Sequence, residues 1–259
     1  MEILQNQEWI FLLIAAFAAG FVDSVIGGGG LIQLPALLTA LPGSEFSMVM
    51  GTNKLAGFSG TAVATIQYLR KSKIILRAIL PAAFTAIPAA LLGARAVSGL
   101  NKEQLKPIIL FLFVMVFIYT LIKKDFGVRP PKSVSDQKMF LLSLLTGLII
   151  GFYDGFFGPG TGSFLVFTYV ILFGFEFMQA SAHAKLLNCI CNISALLFFV
   201  WNGDVNYNIA VPLAACNITG SFIGSHLALK KGSAFIRIFF IGAVSLFIVK
   251  MSWEIFLQN

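Results

Sequence analysis

The feature that most narrows what this chain can fold into is the stretch Gly20–Gly30, GFVDSVIGGGG, set inside an apolar run. Consecutive glycines end a helix, because each loses much backbone entropy on ordering and leaves its peptide groups open. Those peptide groups cannot face hydrocarbon, where every unpaired N–H or C=O is costly. An interrupted helix at membrane depth is therefore tolerated only where protein or water surrounds it. The same device returns as GFYDGFFGPGTG at Gly151–Gly162. Paired interruptions in corresponding segments point to a transporter's binding site.

Composition supplies the membrane. Of 259 residues, 58% are hydrophobic and 11% charged, whereas soluble domains carry about 25% charged residues. Trp9–Ile26, Pro107–Ile122 and Ala234–Val249 are almost free of charge, and each approaches the ~17–25 residues that cross a bilayer. A soluble helical bundle would need polar outer faces that these runs lack. The net charge of +7 is carried by Lys and Arg in loops, the usual cytoplasmic bias of membrane proteins, so the partner is the lipid bilayer and not nucleic acid. Glu2 and Glu8, with no basic residue before the first apolar run, do not resemble a signal peptide, and the first segment is expected to remain in the mature protein. Cys189, Cys191 and Cys216 have neither zinc nor disulfide spacing. They are expected as small buried side chains, the alternative being a thiol that touches substrate.

Glycine, proline and charged loops divide the chain into helices. Trp9–Ile26 is broken by Gly27–Gly30, and a short helix Leu31–Leu41 follows. Helices near Ser47–Leu69, Ile75–Ala96 (with Pro81 and Pro88 as kinks) and Lys106–Ile122 complete a first repeat, residues 1–122. The polar stretch 123–138 is the linker. The second repeat, 139–259, runs Met139–Phe157, a break at Gly158–Gly160, Gly162–Leu172, then Met178–Trp201, Tyr207–Leu229 and Ala234–Val249. A single shift of 131 residues carries Gly20, Phe21, Asp23, Gly27 and Gly29 onto Gly151, Phe152, Asp154, Gly158 and Gly160. The same shift carries Glu45 onto Glu176, Lys54 onto Lys185, Pro81 onto Pro212 and Gly93 onto Gly224. Charged residues, prolines and glycines in one register mark an internal duplication.

The loops set its sense. Placing the basic loops Arg70–Arg77, Lys123–Lys138 and Lys230–Arg237 in the cytoplasm requires each broken pair to enter the membrane and return. The fold class expected is thus an all-α polytopic membrane protein of two inverted-topology repeats, each a re-entrant helical hairpin plus three transmembrane helices, with both termini outside.

Lys54 and Lys185 are the leading site residues. Each lies a couple of turns inside a helix, about 12 Å from its entry and near the midplane. A lysine there is costly and functional by default. It would bind an anion, or else snorkel or form a structural pair, Asp23–Lys54 and Asp154–Lys185 being the obvious partners. Thr52 and Asn53 precede Lys54, and Ser181 and His183 precede Lys185. Their hydroxyl, amide and imidazole groups suit an oxyanion, and a helix restarting there would add its N-terminal amides. The tips Gly28, Gly29, Gly30, Gly160 and Thr161 offer backbone N–H groups, or simply allow close helix packing. Asp23 and Asp154 would balance the lysines or carry a coupling proton. Glu45 and Glu176 are expected in solvent at the hairpin ends. No metal-ligand spacing and no nucleotide-binding motif appears, and no cofactor is expected.

GFVDSVIGGGG with Leu31–Pro35 and GTNK at Gly51–Lys54, and the repeat GFYDGFFGPGTG, resemble the TauE/SafE sulfite-exporter family (TSUP, DUF81), most closely its YfcA-type members. The resemblance covers essentially the whole chain, although SAHAK stands where the second repeat would have a GTNK-like segment. It implies a multi-pass bacterial inner-membrane protein that moves sulfite, sulfonates or other organosulfur anions, export being the prototype role. The function expected is a secondary transporter of small anions by alternating access, drawing on a proton or another coupling ion. An anion channel and an intramembrane aspartyl enzyme are the rivals; paired aspartates suggest the second, but the duplication would then be unexplained.

Overall fold

The structure, a computed structural model, describes residues 6–99 and 134–231. Within them lie eight helices and no strand. They are α1 (Asn6–Ile26), α2 (Gly30–Ala40), α3 (Phe46–Leu69), α4 (Leu76–Ser98), α5 (Asp136–Phe156), α6 (Thr161–Ile171), α7 (Phe177–Trp201) and α8 (Tyr207–Lys231). Each stands within a few residues of where glycine, proline and charge place it. α4 runs through Pro81 and Pro88 without a break. Glu45 and Glu176 are exposed N-cap residues of α3 and α7. The expected helices Lys106–Ile122 and Ala234–Val249, and most of the linker, lie outside the described residues; α5 already begins at Asp136.

α1, α4, α5 and α7 are long and apolar enough to cross a membrane. Their outward faces carry exposed Ile14, Phe84, Leu92, Leu148, Ile149 and Leu197, as lipid-facing surfaces do. α3 and α8 are as long, with 24 and 25 residues, but more polar, and they bury that polarity: Asn53, Lys54, Thr61 and Thr65 in α3, Asn217, Ser221 and Ser225 in α8. α2 and α6 have 11 residues each. At 1.5 Å per residue they reach about 16 Å, half of the ~30 Å hydrocarbon core. The described residues form an all-α membrane protein whose more polar helices turn their polar side chains inward.

Packing is set by small residues. Gly147, Gly151 and Gly155 of α5 lie on Ala82, Ala86 and Ala90 of α4, so close that a Cβ would strike the facing backbone. Gly20 of α1 meets Asn217 of α8, and Gly220 and Gly224 of α8 meet Phe17 and Phe21 of α1. Such stripes let membrane helices approach where no hydrophobic force distinguishes protein from lipid. The contacts also give directions. α1 runs parallel to α8, because Phe17 pairs with Gly220 and Ser24 with Gly224. α4 runs parallel to α5 by the register just given. α3 runs antiparallel to α7, because Gly51 lies at Phe199, Lys54 bonds Asn192 and Thr65 bonds Lys185. Short turns then reverse α3 into α4 and α7 into α8.

At Gly27 (φ +83°) and Gly158 (φ +88°) the chain enters left-handed backbone, which side chains resist and glycine accepts. Both broken elements turn back here, and the two tips meet. Gly27 lies against the Gly162 backbone, and Gly30 against Pro159. The Ser163 amide donates to the Gly27 carbonyl at 3.2 Å and its hydroxyl to the Ile26 carbonyl at 2.7 Å. Carbonyls left over at the end of α1 are thus satisfied by the other half.

Candidate functional site

Lys54 enters on α3 and Lys185 on α7, and both are buried, at 3% and 2% exposure. Their partners differ from those that sequence proximity suggests. Lys54 Nζ bonds Asp154 Oδ2 at 2.7 Å, and Lys185 Nζ bonds Asp23 Oδ2 at 3.3 Å. Each pair therefore joins the N-terminal half of the chain to the C-terminal half, which corrects the expected Asp23–Lys54 and Asp154–Lys185. Each ammonium also donates to the backbone carbonyl of its aspartate, Lys54 to Asp154 at 2.7 Å and Lys185 to Asp23. The two pairs are exchanged by the same 131-residue shift that relates the halves.

A helix does not restart at Thr52 or Ser181. α3 and α7 run unbroken through both positions, so no helix N-terminus exists there to attract an anion. Thr52 is buried, and its hydroxyl accepts from the Asn206 amide at 3.0 Å, tying α3 to the start of α8. His183 Nε2 accepts from the Ile75 amide at 2.9 Å, and Nδ1 faces the Gln179 carbonyl at 2.7 Å. That is the pattern of a neutral imidazole with its proton on Nδ1. Its ring packs on Tyr169 and Phe175, joining α7 to α4 and away from the lysines. The Ser181 hydroxyl is buried without a hydrogen-bond partner among the described residues.

Between the tips lies a polar cavity of about 40 Å³, room for about three waters at ~10–15 Å³ each. Its wall includes Asp23, Gly29, Gly30 and Asn53 from the N-terminal half of the chain and Asp154, Gly158, Gly160 and Gly162 from the C-terminal half. Gly28 is not part of that wall, and neither lysine is; Asp23 and Asp154, to which the two ammonium groups are bonded, both line it. The helix N-termini that reach this space are those of α2, from Gly30, and α6, from Thr161. Their dipoles supply positive potential there. The Thr161 hydroxyl donates to the Gly158 carbonyl at 2.7 Å and so shapes the second tip.

Several wall residues escaped the sequence: Gln33, Thr61, Asn188, Asn192 and Asn217. Gln33 bridges α3 and α8, donating to the Asn53 carbonyl at 3.3 Å and accepting from Asn217 Nδ2 at 2.7 Å. The available signal was carboxamides inside apolar helices, with Asn188 and Asn192 one turn apart on a single face. No cluster able to hold a metal ion occurs among the described residues.

The comparisons with known proteins fit this geometry. The family model described as sulfite exporter TauE/SafE matches residues 12–251. The chain belongs to the TauE/SafE family. Among relatives, the "Probable membrane transporter protein ORF9" of a Sinorhizobium species is 38% identical over 231 residues, 88% of this chain and 85% of that protein. The "Probable membrane transporter protein YfcA" of Escherichia coli strain K12 is 36% identical, covering 87% of this chain and 82% of its own length. A "Probable membrane transporter protein" of Haemophilus influenzae is 34% identical, with 87% of both chains covered. This TauE/SafE member is accordingly a membrane transporter by family.

Proposed function

We propose that this chain is a secondary transporter that exports small oxyanions of sulfur, such as sulfite or a sulfonate, across a bacterial inner membrane by alternating access. Two inverted repeats would be its moving halves. Inversion is supported by helix directions: α1, α3 and α8 run one way and α4, α5 and α7 the other, so each helix opposes its repeat mate. The observation that carries the function is the polar cavity between the two glycine tips, lined by the aspartates of two crossed Lys–Asp pairs. A small anion would enter between the tips, accept hydrogen bonds from glycine amides and carboxamides, and draw a lysine away from its carboxylate.

The pairs leave the resting site neutral, so an added anion brings uncompensated charge into hydrocarbon, which is expensive. A proton taken up by the freed aspartate restores the balance. Anion and proton would then cross together, in the direction set by their combined gradients, and accumulated cytoplasmic anion would leave. The test is flux of sulfite, methanesulfonate and acetate in proteoliposomes. The wild-type chain should show saturable flux with preference for the sulfur oxyanions. Lys54→Ala and Lys185→Ala should each lower it at least about tenfold, because each strands the buried carboxylate of its pair beside the cavity. Undiminished flux in both variants would remove the site. Large unitary currents would make the protein a channel.

A further inference from the structure

The two ion pairs are related by the repeat but are not equivalent. An ammonium group has three protons to donate. Lys54 places all three, on Asp154 Oδ2, the Asp154 carbonyl and Asn192 Oδ1 at 3.3 Å. Lys185 places two, on the Asp23 carbonyl and, at 3.3 Å, on Asp23 Oδ2, with no third acceptor among the described residues. The carboxylates differ in the opposite sense. Asp154 is 1% exposed and takes its short bond from Lys54. Asp23 is 15% exposed and has donors of its own: Thr61 Oγ1 at 3.0 Å to Oδ2 and the Gly29 amide at 3.4 Å to Oδ1. The difference traces to one repeat position. Thr61 and Asn192 are related by the 131-residue shift, yet Thr61 serves the carboxylate of one pair and Asn192 the ammonium of the other.

Resting on the functional reading above, we propose a division of labour. Asp23–Lys185 is the pair that opens to bind the substrate oxygen, and Lys54–Asp154–Asn192 is a fixed latch between the halves. Lys185 stays anchored on the Asp23 carbonyl while its long contact to the carboxylate is exchanged for an anion oxygen. Its unused proton gives that oxygen a second bond. The displaced carboxylate remains held by Thr61 and Gly29. Lys54 has no free donor to offer, and beside Lys54 the Asp154 carboxylate has, among the described residues, only the Thr161 hydroxyl, which already donates to the Gly158 carbonyl.

Removing whole pairs avoids a stranded buried charge. Asp23→Asn with Lys185→Met, and Asp154→Asn with Lys54→Met, are purified as full chains and compared with wild type. The readouts are sulfite-induced shift in Tm, binding constant and proteoliposome flux. The first variant should fold and show neither sulfite-induced shift nor flux. The second should bind sulfite within about threefold of wild type, under ~1 kcal/mol, while flux falls because the latch is gone. Loss of binding in both would overturn the division and leave the site standing, whereas retained binding in both would overturn the site itself. Binding lost only in the second would invert the assignment. Should a pair variant fail to fold, Thr61→Val decides: sulfite binding weakened at least about fivefold supports the proposal, and unchanged binding overturns it.

Discussion

A lysine buried in hydrocarbon is tolerable only with a partner, and the identity of that partner carries an energetic signature. Removing one member of a buried pair strands the other, at about 3–5 kcal/mol, whereas removing both costs far less. Lys54→Met should therefore destabilise strongly, and adding Asp154→Asn should recover most of the loss. Adding Asp23→Asn instead should recover nothing, because that carboxylate belongs to Lys185. Thermal unfolding of these three variants and the wild type in detergent measures the coupling. The four charged residues were legible in the sequence, since charge inside an apolar run has few explanations. Their pairing was not, because both schemes use the same residues and only the crossing of the halves distinguishes them. Asn188, Asn192 and Asn217 were not legible as wall residues, since an amide in a helix is equally consistent with local packing.

At the scale of elements, the helix limits could be read because glycine, proline and loop charge are strong punctuation. The restart imagined at Thr52 and Ser181 failed for a physical reason. In membrane helices hydroxyls return to the preceding turn, as Thr65 does to the Thr61 carbonyl at 2.7 Å and Ser59 to the Leu55 carbonyl at 2.9 Å. They therefore need not mark a cap. The tips are the fragile elements. Gly27→Ala places a Cβ at φ +83° and into the Gly162 backbone. Strain of that kind costs about 1–3 kcal/mol before the clash is counted. Gly43→Ala, with nothing within 4 Å, should be nearly neutral. Unfolding midpoints in detergent should separate the two variants clearly. Equal midpoints would mean that the tips do not meet as described.

For the whole molecule, the proposed inverted layout rests on the parity of crossings between basic loops, an argument that needs no side-chain geometry. It predicts that the α3–α4 turn and the α7–α8 turn lie on opposite sides of the membrane. A cysteine at Asn202 should react with an impermeant maleimide on intact cells. A cysteine at Lys71 should react only after permeabilisation. Labelling of both from one side would defeat the inversion. What the sequence left open is how the halves meet, because tip-to-tip contact and crossed charges arise only when both repeats fold onto each other.

The most direct test is a structure determined with sulfite bound. The predicted result is an anion between the glycine tips, one oxygen within hydrogen-bond distance of Lys185 Nζ, with the Asp23 carboxylate turned onto Thr61 and Lys54 still on Asp154. An anion bound elsewhere, with both ion pairs closed, would contradict the account.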